Sequence, residues 1–237
     1  MIKTYLFYIF GLLPSVIWLV FYLRKDAHPE SNKMIIKIFL FGAFIAFVAI
    51  LLERGFRFLI LLPKSQNILT QLLAIFIGGA LIEEYLKYLV VKISVFRNSE
   101  LDEPFDLLLY MIISALGFAA LENILVLSNY HPILNIGKAM EVMTIRFIST
   151  TFLHALCSGL IGSFLILSLR QLKKRKLLVF IGIGLATILH GLYNLSIMKI
   201  EGLLKFILPV IILIVLSSFI SFNIKKVKKI KGVCITK

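Results

Sequence analysis

The chain has 237 residues, of which 60% are hydrophobic and 16% charged, and its mean hydropathy is +0.99. This composition excludes an ordinary soluble domain and indicates an integral membrane protein. The formal net charge of +14 does not indicate nucleic-acid binding, because the Lys and Arg residues lie in short loops between apolar stretches and not on the surface of a soluble module.

Seven stretches of the chain are long and apolar enough to cross a bilayer as helices, which takes about 20 residues each. In chain order they are 5–23, 35–52, 69–91, 106–128, 145–169, 177–198 and 203–222. The second is followed by residues 53–63, where three charged side chains indicate an interfacial amphipathic segment. We therefore predict an all-α, polytopic transmembrane helix bundle with about seven spans, built as a single integral membrane domain over residues 1–237.

The Lys and Arg residues are divided unequally between the two sides of the predicted bundle. The loops and tail on one side hold seventeen, and those on the other side hold seven. Because cytoplasmic loops carry the excess of basic residues, we predict an N-terminus outside the cell and a cytoplasmic C-terminus that includes the basic tail at 223–237.

The third predicted span carries two adjacent glutamates and a lysine: Glu83, Glu84 and Lys87. A charged residue at the centre of a span costs about 2.5–3.5 kcal/mol, so such residues need a partner or a water-filled cavity. Glu83 and Lys87 are four residues apart and can form an ion pair on one helix face, which by itself would be a structural contact. The second carboxylate exceeds what one ion pair needs, and it indicates a general base or acid.

Each of the next three spans adds polar residues. The fourth contains Glu122 and Asn123, the fifth contains His154, and the sixth contains His190 with Asn194 four residues later on the same helix face. An amide can simply join two helices, and a lone buried histidine is often a core residue, so these residues also have a structural interpretation. Their positions along the spans are compatible with one cavity in the outer half of the membrane.

Glutamates and histidines that converge in a bilayer could serve three chemistries. They could activate water for hydrolysis, ligate a divalent metal, or relay protons or ions in a transporter. The sequence has no glycine-rich phosphate loop, serine nucleophile motif or HExxH pattern that decides between them.

Four short motifs resemble those of the PrsW family of intramembrane proteases, which is related to the CAAX-processing and bacteriocin-processing proteases. They are EEYLK at 83–87, GFAALEN at 117–123, HALCSG at 154–159 and HGLYN at 190–194, in this order and each in its own span. The resemblance covers roughly residues 74–196. Asp106, at the start of the fourth span, also fits the family's pattern, although a charge at a helix N-terminus equally complements the helix dipole.

The resemblance implies an intramembrane endopeptidase in the bacterial cell membrane. The implied substrate is a single-pass membrane protein of the anti-sigma-factor class, cut near its outer side in envelope-stress signalling. A proton- or ion-coupled transporter that uses the same residues and a non-catalytic membrane scaffold are the alternatives.

The resemblance also implies roles for the residues of these motifs. Glu83 or Glu84 would polarise the attacking water, and His154 would share this role. His190 and Asn194 would stabilise the oxyanion, as donors aimed at developing charge do.

Four further residues would support this chemistry. Glu122 would be an additional acid or base, and Lys87 would pair with Glu83 and hold the two glutamates in place. Asn123 and Asp106 would be supporting residues.

The resemblance leaves the need for a metal open. The family is often classed with metalloproteases, yet its relatives are able to work through glutamate and histidine without metal, and we expect no obligatory metal here. If zinc is bound, carboxylate oxygen and imidazole nitrogen would suit its tetrahedral coordination, and the implied ligands are Glu84, Glu122, His154 and His190.

Overall fold

The computed structural model describes residues 2–26, 28–61, 67–96, 98, 100–130 and 136–228, and within these ranges it is helical without a β-strand. The helices in chain order are α1 (Ile2–Leu23), α2 (Asn32–Leu61), α3 (Ile68–Ile75), α4 (Ile82–Ser94), α5 (Pro104–Tyr130), α6 (Ile136–Ile148), α7 (Thr150–Arg170), α8 (Arg175–Lys199) and α9 (Leu204–Val227). A π-helical segment, Phe76–Leu81, joins α3 to α4, and a short 3₁₀ turn, Leu172–Lys174, precedes α8.

Within the part of the chain that the structure describes, six helical segments are long and apolar enough to cross a membrane. They are Asn32–Ile60, Ile68–Ser94, Pro104–Ser128, Ile136–Arg170, Leu172–Lys199 and Leu204–Val227. α1 contributes a somewhat shorter apolar stretch, Tyr8–Leu23. This architecture confirms the prediction of an all-α membrane helix bundle with about seven spans.

α5 is the central helix of the bundle. It packs against α1, α2 and α7, and its residues 107–113 are fully buried. At Gly117 the backbone of Phe39 in α2 occupies the space that a side chain would need, and a Cβ on Gly162 of α7 would lie 2.6 Å from Leu108 Cα. Small residues at such crossings let membrane helices approach closely. The two close crossings hold α2 and α7 against α5, which is apolar around most of its circumference.

α2 is longer than the sequence predicts. It continues as one helix to Leu61, so residues 53–61 are not the separate interfacial segment that their charges indicate. The physical reason is that these residues include no proline, and the single glycine, Gly55, costs only about 1 kcal/mol relative to alanine in a helix.

α6 is the second departure from the sequence prediction. Residues 136–144 are predicted to be loop, whereas the chain forms a helix there, α6, and α7 follows from Thr150. Ala139 and Met143, four residues apart, are buried against α1 and α5, and such tertiary packing stabilises a short helix that hydrophobicity alone does not reveal. Ser149, with φ −121° and ψ −87°, separates α6 from α7. As a result, α6 brings Arg146 next to α5.

Candidate active site

A π-helical turn directly precedes the two glutamates of the third crossing. Single π turns inside α-helices are frequent at functional sites. Gly78 in this turn lies against the ring of Phe56 from α2, and the ring of Phe76 lies against Gly191 of α8, so that neither glycine has room for a Cβ. These contacts hold the turn between α2 and α8 and fix the orientation of α4, which begins at Ile82.

Lys87 of α4 is the centre of a buried polar network. Its side chain is fully buried, and its ammonium donates to Glu84 Oε1 at 2.8 Å, to Glu83 Oε2 at 3.3 Å and to His154 Nδ1 at 2.7 Å. An ammonium has three N–H groups, so these three acceptors satisfy it completely. The same nitrogen lies 4.3 Å from the centre of the Phe118 ring, where the face of the ring attracts a cation.

His154 of α7 connects the lysine ammonium to a second carboxylate. Because an ammonium can only donate, His154 Nδ1 accepts, and its Nε2 carries the proton that it donates to Glu122 Oε2 at 2.8 Å. Arg146 Nη2 lies 3.1 Å from the same oxygen, and Arg146 Nε donates to Asn123 Oδ1 at 2.5 Å. Asn123 Nδ2 in turn donates to Thr151 Oγ1 at 3.1 Å. The network therefore joins α4, α5, α6 and α7.

The two adjacent glutamates have different surroundings. Glu84 Oε1 accepts from Lys87 and from His190 Nδ1 at 3.0 Å, and Glu84 Oε2 accepts from Ser158 Oγ at 3.1 Å. His190 Nδ1 therefore carries the ring proton, which leaves a lone pair on Nε2, 4.0 Å from Glu83 Oε2. From the residues that the structure describes, Glu83 accepts a single hydrogen bond, the 3.3 Å one from Lys87. Glu84 is thus saturated with donors, and Glu83 keeps free acceptor capacity.

The network is largely buried and is most exposed at Glu122 and Arg146. Four of its side chains are at most 2% exposed. The exposed fraction of the side chain is 11% for Glu83, 14% for Arg146 and 33% for Glu122, so the network is accessible at these three residues. Its three carboxylates face two permanent cations, Lys87 and Arg146. Such near-complete pairing is necessary, because removing one partner of a buried ion pair leaves an uncompensated charge that costs about 3–5 kcal/mol.

The structure brings most of the predicted site residues together. Those in direct contact through hydrogen bonds or ion pairs are Glu83, Glu84, Lys87, Glu122, His154 and His190. Asn123 joins them through Arg146. Asn194 lies one turn after His190 and is half-buried, and it makes no hydrogen bond with the parts of the chain that the structure describes.

Asp106 is the predicted residue that lies apart. It is sixteen residues before the glutamate of α5, which places it about 24 Å away along the helix. Its carboxylate accepts the backbone N–H groups of Asp102 at 3.0 Å and Glu103 at 2.7 Å, the reciprocal contact of a helix N-terminus. Beside it, Glu30 accepts a hydrogen bond from Tyr110, and burial raises the pKa of Glu30 above its usual range.

Sequence reasoning assigned no role to Arg146, Ser158 or Glu53. Arg146 had a usable signal, since a cation predicted to lie within a span needs an anionic partner. Ser158 follows His154 by one turn but is otherwise an ordinary helix residue. Glu53 of α2 interacts electrostatically with Glu83 and Glu122, which becomes apparent only because α2 extends past residue 52.

Among the described residues, the side chains suited to hold a metal ion are Glu83, His154 and His190, whose donor atoms lie within 4.8 Å of one another. Glu83 Oε2 is 3.7 Å from His154 Nδ1 and 4.0 Å from His190 Nε2. Zinc bonds of about 2.0–2.1 Å in a tetrahedron place ligand atoms about 3.3–3.4 Å apart, so shifts of less than about 1 Å would complete the set. The other nitrogen of each histidine donates to a carboxylate, Glu122 or Glu84, as is usual for metal-binding histidines.

This donor set fits zinc in its chemistry. It would supply three protein ligands and leave a fourth position for water or substrate, as in catalytic zinc sites, if the Lys87 ammonium, now 2.7 Å from His154 Nδ1, released that nitrogen. The carboxylate ligand in it is Glu83, whereas Glu84 and Glu122 orient the two histidines.

Comparisons with known proteins agree with the motifs. The sequence model of a family described as PrsW family intramembrane metalloprotease matches residues 30–221, which include the whole network. A protein named Protease PrsW from Geobacillus kaustophilus (strain HTA426) is 29% identical over 185 residues, which cover 78% of this chain and 76% of the relative.

Two further relatives with the same name align over nearly the whole chain. The protein from Bacillus subtilis (strain 168) is 24% identical over 225 residues, 94% of either chain. The protein from Clostridioides difficile (strain 630) is 25% identical over 228 residues, 94% of this chain and 90% of the relative. Among solved structures, none matches this chain.

Proposed function

The chain belongs to the PrsW family of intramembrane metalloproteases, and we propose that it cleaves a single-pass membrane protein of the anti-sigma-factor class near the outer membrane surface by means of water activated by glutamate and histidine. The observation that carries this mechanism is a pair of acceptor atoms that lie 4.0 Å apart in a buried network, His190 Nε2 and Glu83 Oε2. Glu83 Oε2 accepts the 3.3 Å hydrogen bond from Lys87 and keeps a second lone pair, and the Glu83 side chain is 11% exposed. A polar separation of 4.0 Å is spanned by one bridging water.

Glu83 is the general base of the proposed reaction. A water between Glu83 Oε2 and His190 Nε2 donates one hydrogen to each, which leaves its lone pairs free to attack a peptide carbonyl carbon. As the O–C bond forms, Glu83 takes the water proton and then delivers it to the leaving nitrogen when the C–N bond breaks. Glu84 is unsuited to this role, because both of its oxygens already accept hydrogen bonds from Lys87, His190 and Ser158.

Asn194 is the donor to the oxyanion. Its amide is half-buried one turn from His190 and has no hydrogen-bond partner among the described residues, so Nδ2 is available to donate to the carbonyl oxygen as it becomes negative. His190 cannot serve this oxygen while its Nε2 lone pair holds the water, and its Nδ1–H is engaged by Glu84.

The rest of the network positions the base. Lys87 holds Glu83 by one hydrogen bond, and His154 fixes the ammonium from the other side through its contact with Glu122. A zinc ion would be held by Glu83, His154 Nδ1 and His190 Nε2 in place of the Lys87 ammonium, which now contacts the first two, and it would supply Lewis-acid polarisation of the water and of the carbonyl.

The depth of the network supports a cut near the outer surface. His154 is the fifth residue of α7, and His190 is nine residues before the end of α8. At 1.5 Å per residue these positions are about 6 and 14 Å below the helix ends. Both ends lie on the side of the bundle with few Lys and Arg residues, which the positive-inside rule assigns to the exterior. The anti-sigma-factor class of substrate follows from the family resemblance.

Co-expression with a tagged single-pass anti-sigma factor tests the proposal. We expect a shortened fragment with the wild type and a 10²- to 10⁴-fold lower cleavage rate, roughly, with Glu83→Gln or His190→Ala. Matched controls are Glu141→Gln and His28→Ala, which alter the same residue types at exposed positions outside the network. Undiminished cleavage in both network variants would rule out the mechanism, and cleavage of other single-pass proteins but no anti-sigma factor would rule out the substrate class.

A further inference from the structure

We infer that Lys87 is a built-in cation that competes with a metal ion for the active site, so that His154 holds either the lysine ammonium or a divalent metal but not both. This inference rests on the proposed function only in taking Glu83, His154 and His190 as the metal-binding residues. It assigns Lys87 a second role besides pairing with a glutamate.

The ammonium already occupies the position of a cation. It lies within 3.3 Å of acceptor atoms from Glu83, Glu84 and His154, and two of these residues belong to the set that suits a metal. The lysine side chain has no exposed surface. It therefore cannot move its charge into solvent without a change in the packing of α4 against α5 and α7.

The ammonium and a metal ion would compete for the same lone pair, that of His154 Nδ1. Neutral imidazole has one acceptor nitrogen, and in His154 this is Nδ1, 2.7 Å from the ammonium. The other nitrogen donates to Glu122 at 2.8 Å, so the ring cannot offer it to a metal without losing that contact. A metal at Nδ1 would also lie within a few ångströms of a buried positive charge, where the repulsion is poorly screened.

Metal binding should therefore differ between the protein with the Lys87 ammonium and the protein without it. With the ammonium in place, only Glu83 and His190 offer free donor atoms, and two ligands do not make a zinc site of the usual kind. Removal of the ammonium releases the third ligand and, at the same time, leaves the carboxylates in need of a cation. Substitution of Lys87 by an uncharged residue should therefore strengthen metal binding.

The test is a titration of detergent-purified protein with Co²⁺, followed by the visible absorption of the ion and by thermal unfolding. We expect Lys87→Met to bind one Co²⁺ at least about tenfold more tightly than the wild type, in the range by which residues around a metal site change affinity, and to gain thermal stability on binding. Lys138→Met is the matched control, because Lys138 has the same i,i+3 pairing with a glutamate, at 2.7 Å, but is 56% exposed. Addition of His154→Ala to Lys87→Met should abolish the gain.

Lys87→Met leaves the carboxylates without their cation and could fail to fold. The double variant Lys87→Met/Glu84→Gln removes one charge of each sign and keeps Glu83, His154 and His190, so the same titration is made on it. Equal Co²⁺ affinity in the wild type and the lysine variants, or a gain that survives loss of His154, would overturn the inference. Neither readout involves a substrate, so this result is independent of whether the anti-sigma-factor proposal holds.

Discussion

Each of the two adjacent glutamates can be replaced by alanine separately. We expect Glu84→Ala to lower stability more than Glu83→Ala does, whereas Glu83→Ala removes the proposed general base. Glu84 accepts three hydrogen bonds, from Lys87 at 2.8 Å, His190 at 3.0 Å and Ser158 at 3.1 Å, and is fully buried. Glu83 accepts one, at 3.3 Å, and is partly exposed. Alanine at position 84 therefore removes three hydrogen bonds of the network, whereas alanine at position 83 removes one.

The magnitudes follow from these contacts. Glu84→Ala leaves a buried ammonium with one carboxylate and leaves a histidine N–H unpaired, so we expect it to lower the free energy of unfolding by about 3–5 kcal/mol. Glu83→Ala removes a single long hydrogen bond, and the ammonium keeps its closest carboxylate, so the loss should be about 1 kcal/mol. Cleavage should nevertheless fall about 10²- to 10⁴-fold in Glu83→Ala, because the general base is gone.

Both quantities are measurable on protein in mild detergent. The free energy of unfolding is obtained from helical circular dichroism during titration with a denaturing detergent, and the cleavage rate is measured at a temperature at which both variants are folded. If the two variants have equal free energies of unfolding, the three hydrogen bonds assigned to Glu84 do not stabilise the protein as we expect. If folded Glu83→Ala cleaves at the wild-type rate, another group is the base.

Three further predictions concern packing, pH and the charge at the opening. Gly162→Ala should destabilise the protein by about 1–3 kcal/mol, since its Cβ would meet the α5 backbone; Gly184→Ala, which has open space, is the control in the same thermal unfolding assay. Burial raises the pKa of Glu30, so the folded state favours its protonated form. The free energy of unfolding should therefore decrease as the pH rises from the pKa of Glu30 in the unfolded chain to its higher pKa in the folded protein. Glu30→Gln should weaken this pH dependence, which thermal unfolding measured between acidic and mildly alkaline pH will show, and an unchanged profile would contradict the assignment. Arg146→Gln leaves Glu122 without its cation and should reduce both stability and cleavage, whereas Arg146→Lys should restore part of each.

The apolar runs of the sequence predicted the membrane-spanning helices well, but not where α2 ends or that α6 forms. The spans are determined by long apolar runs, because backbone groups in lipid must form their hydrogen bonds within a helix. The errors lie where tertiary contacts decide the outcome: α2 continues past Glu53 in the absence of a helix breaker, and α6 forms because Ala139 and Met143 pack on neighbouring helices.

Within the site, the sequence by itself determined most of the ionisable residues that enter the bundle, with the exception of Glu53, since a charge in a predicted span stands out against its apolar neighbours. The tertiary structure decided how these residues divide their roles. Glu83 and Glu84 are chemically identical in sequence, and only the orientation of α4 directs one towards Lys87, His190 and Ser158 together while the other keeps a free oxygen. Hydrogen bonds are sensitive to changes of a few tenths of an ångström in the distance between donor and acceptor. The packing of whole helices against one another sets these distances, and a local stretch of sequence carries no information about that packing.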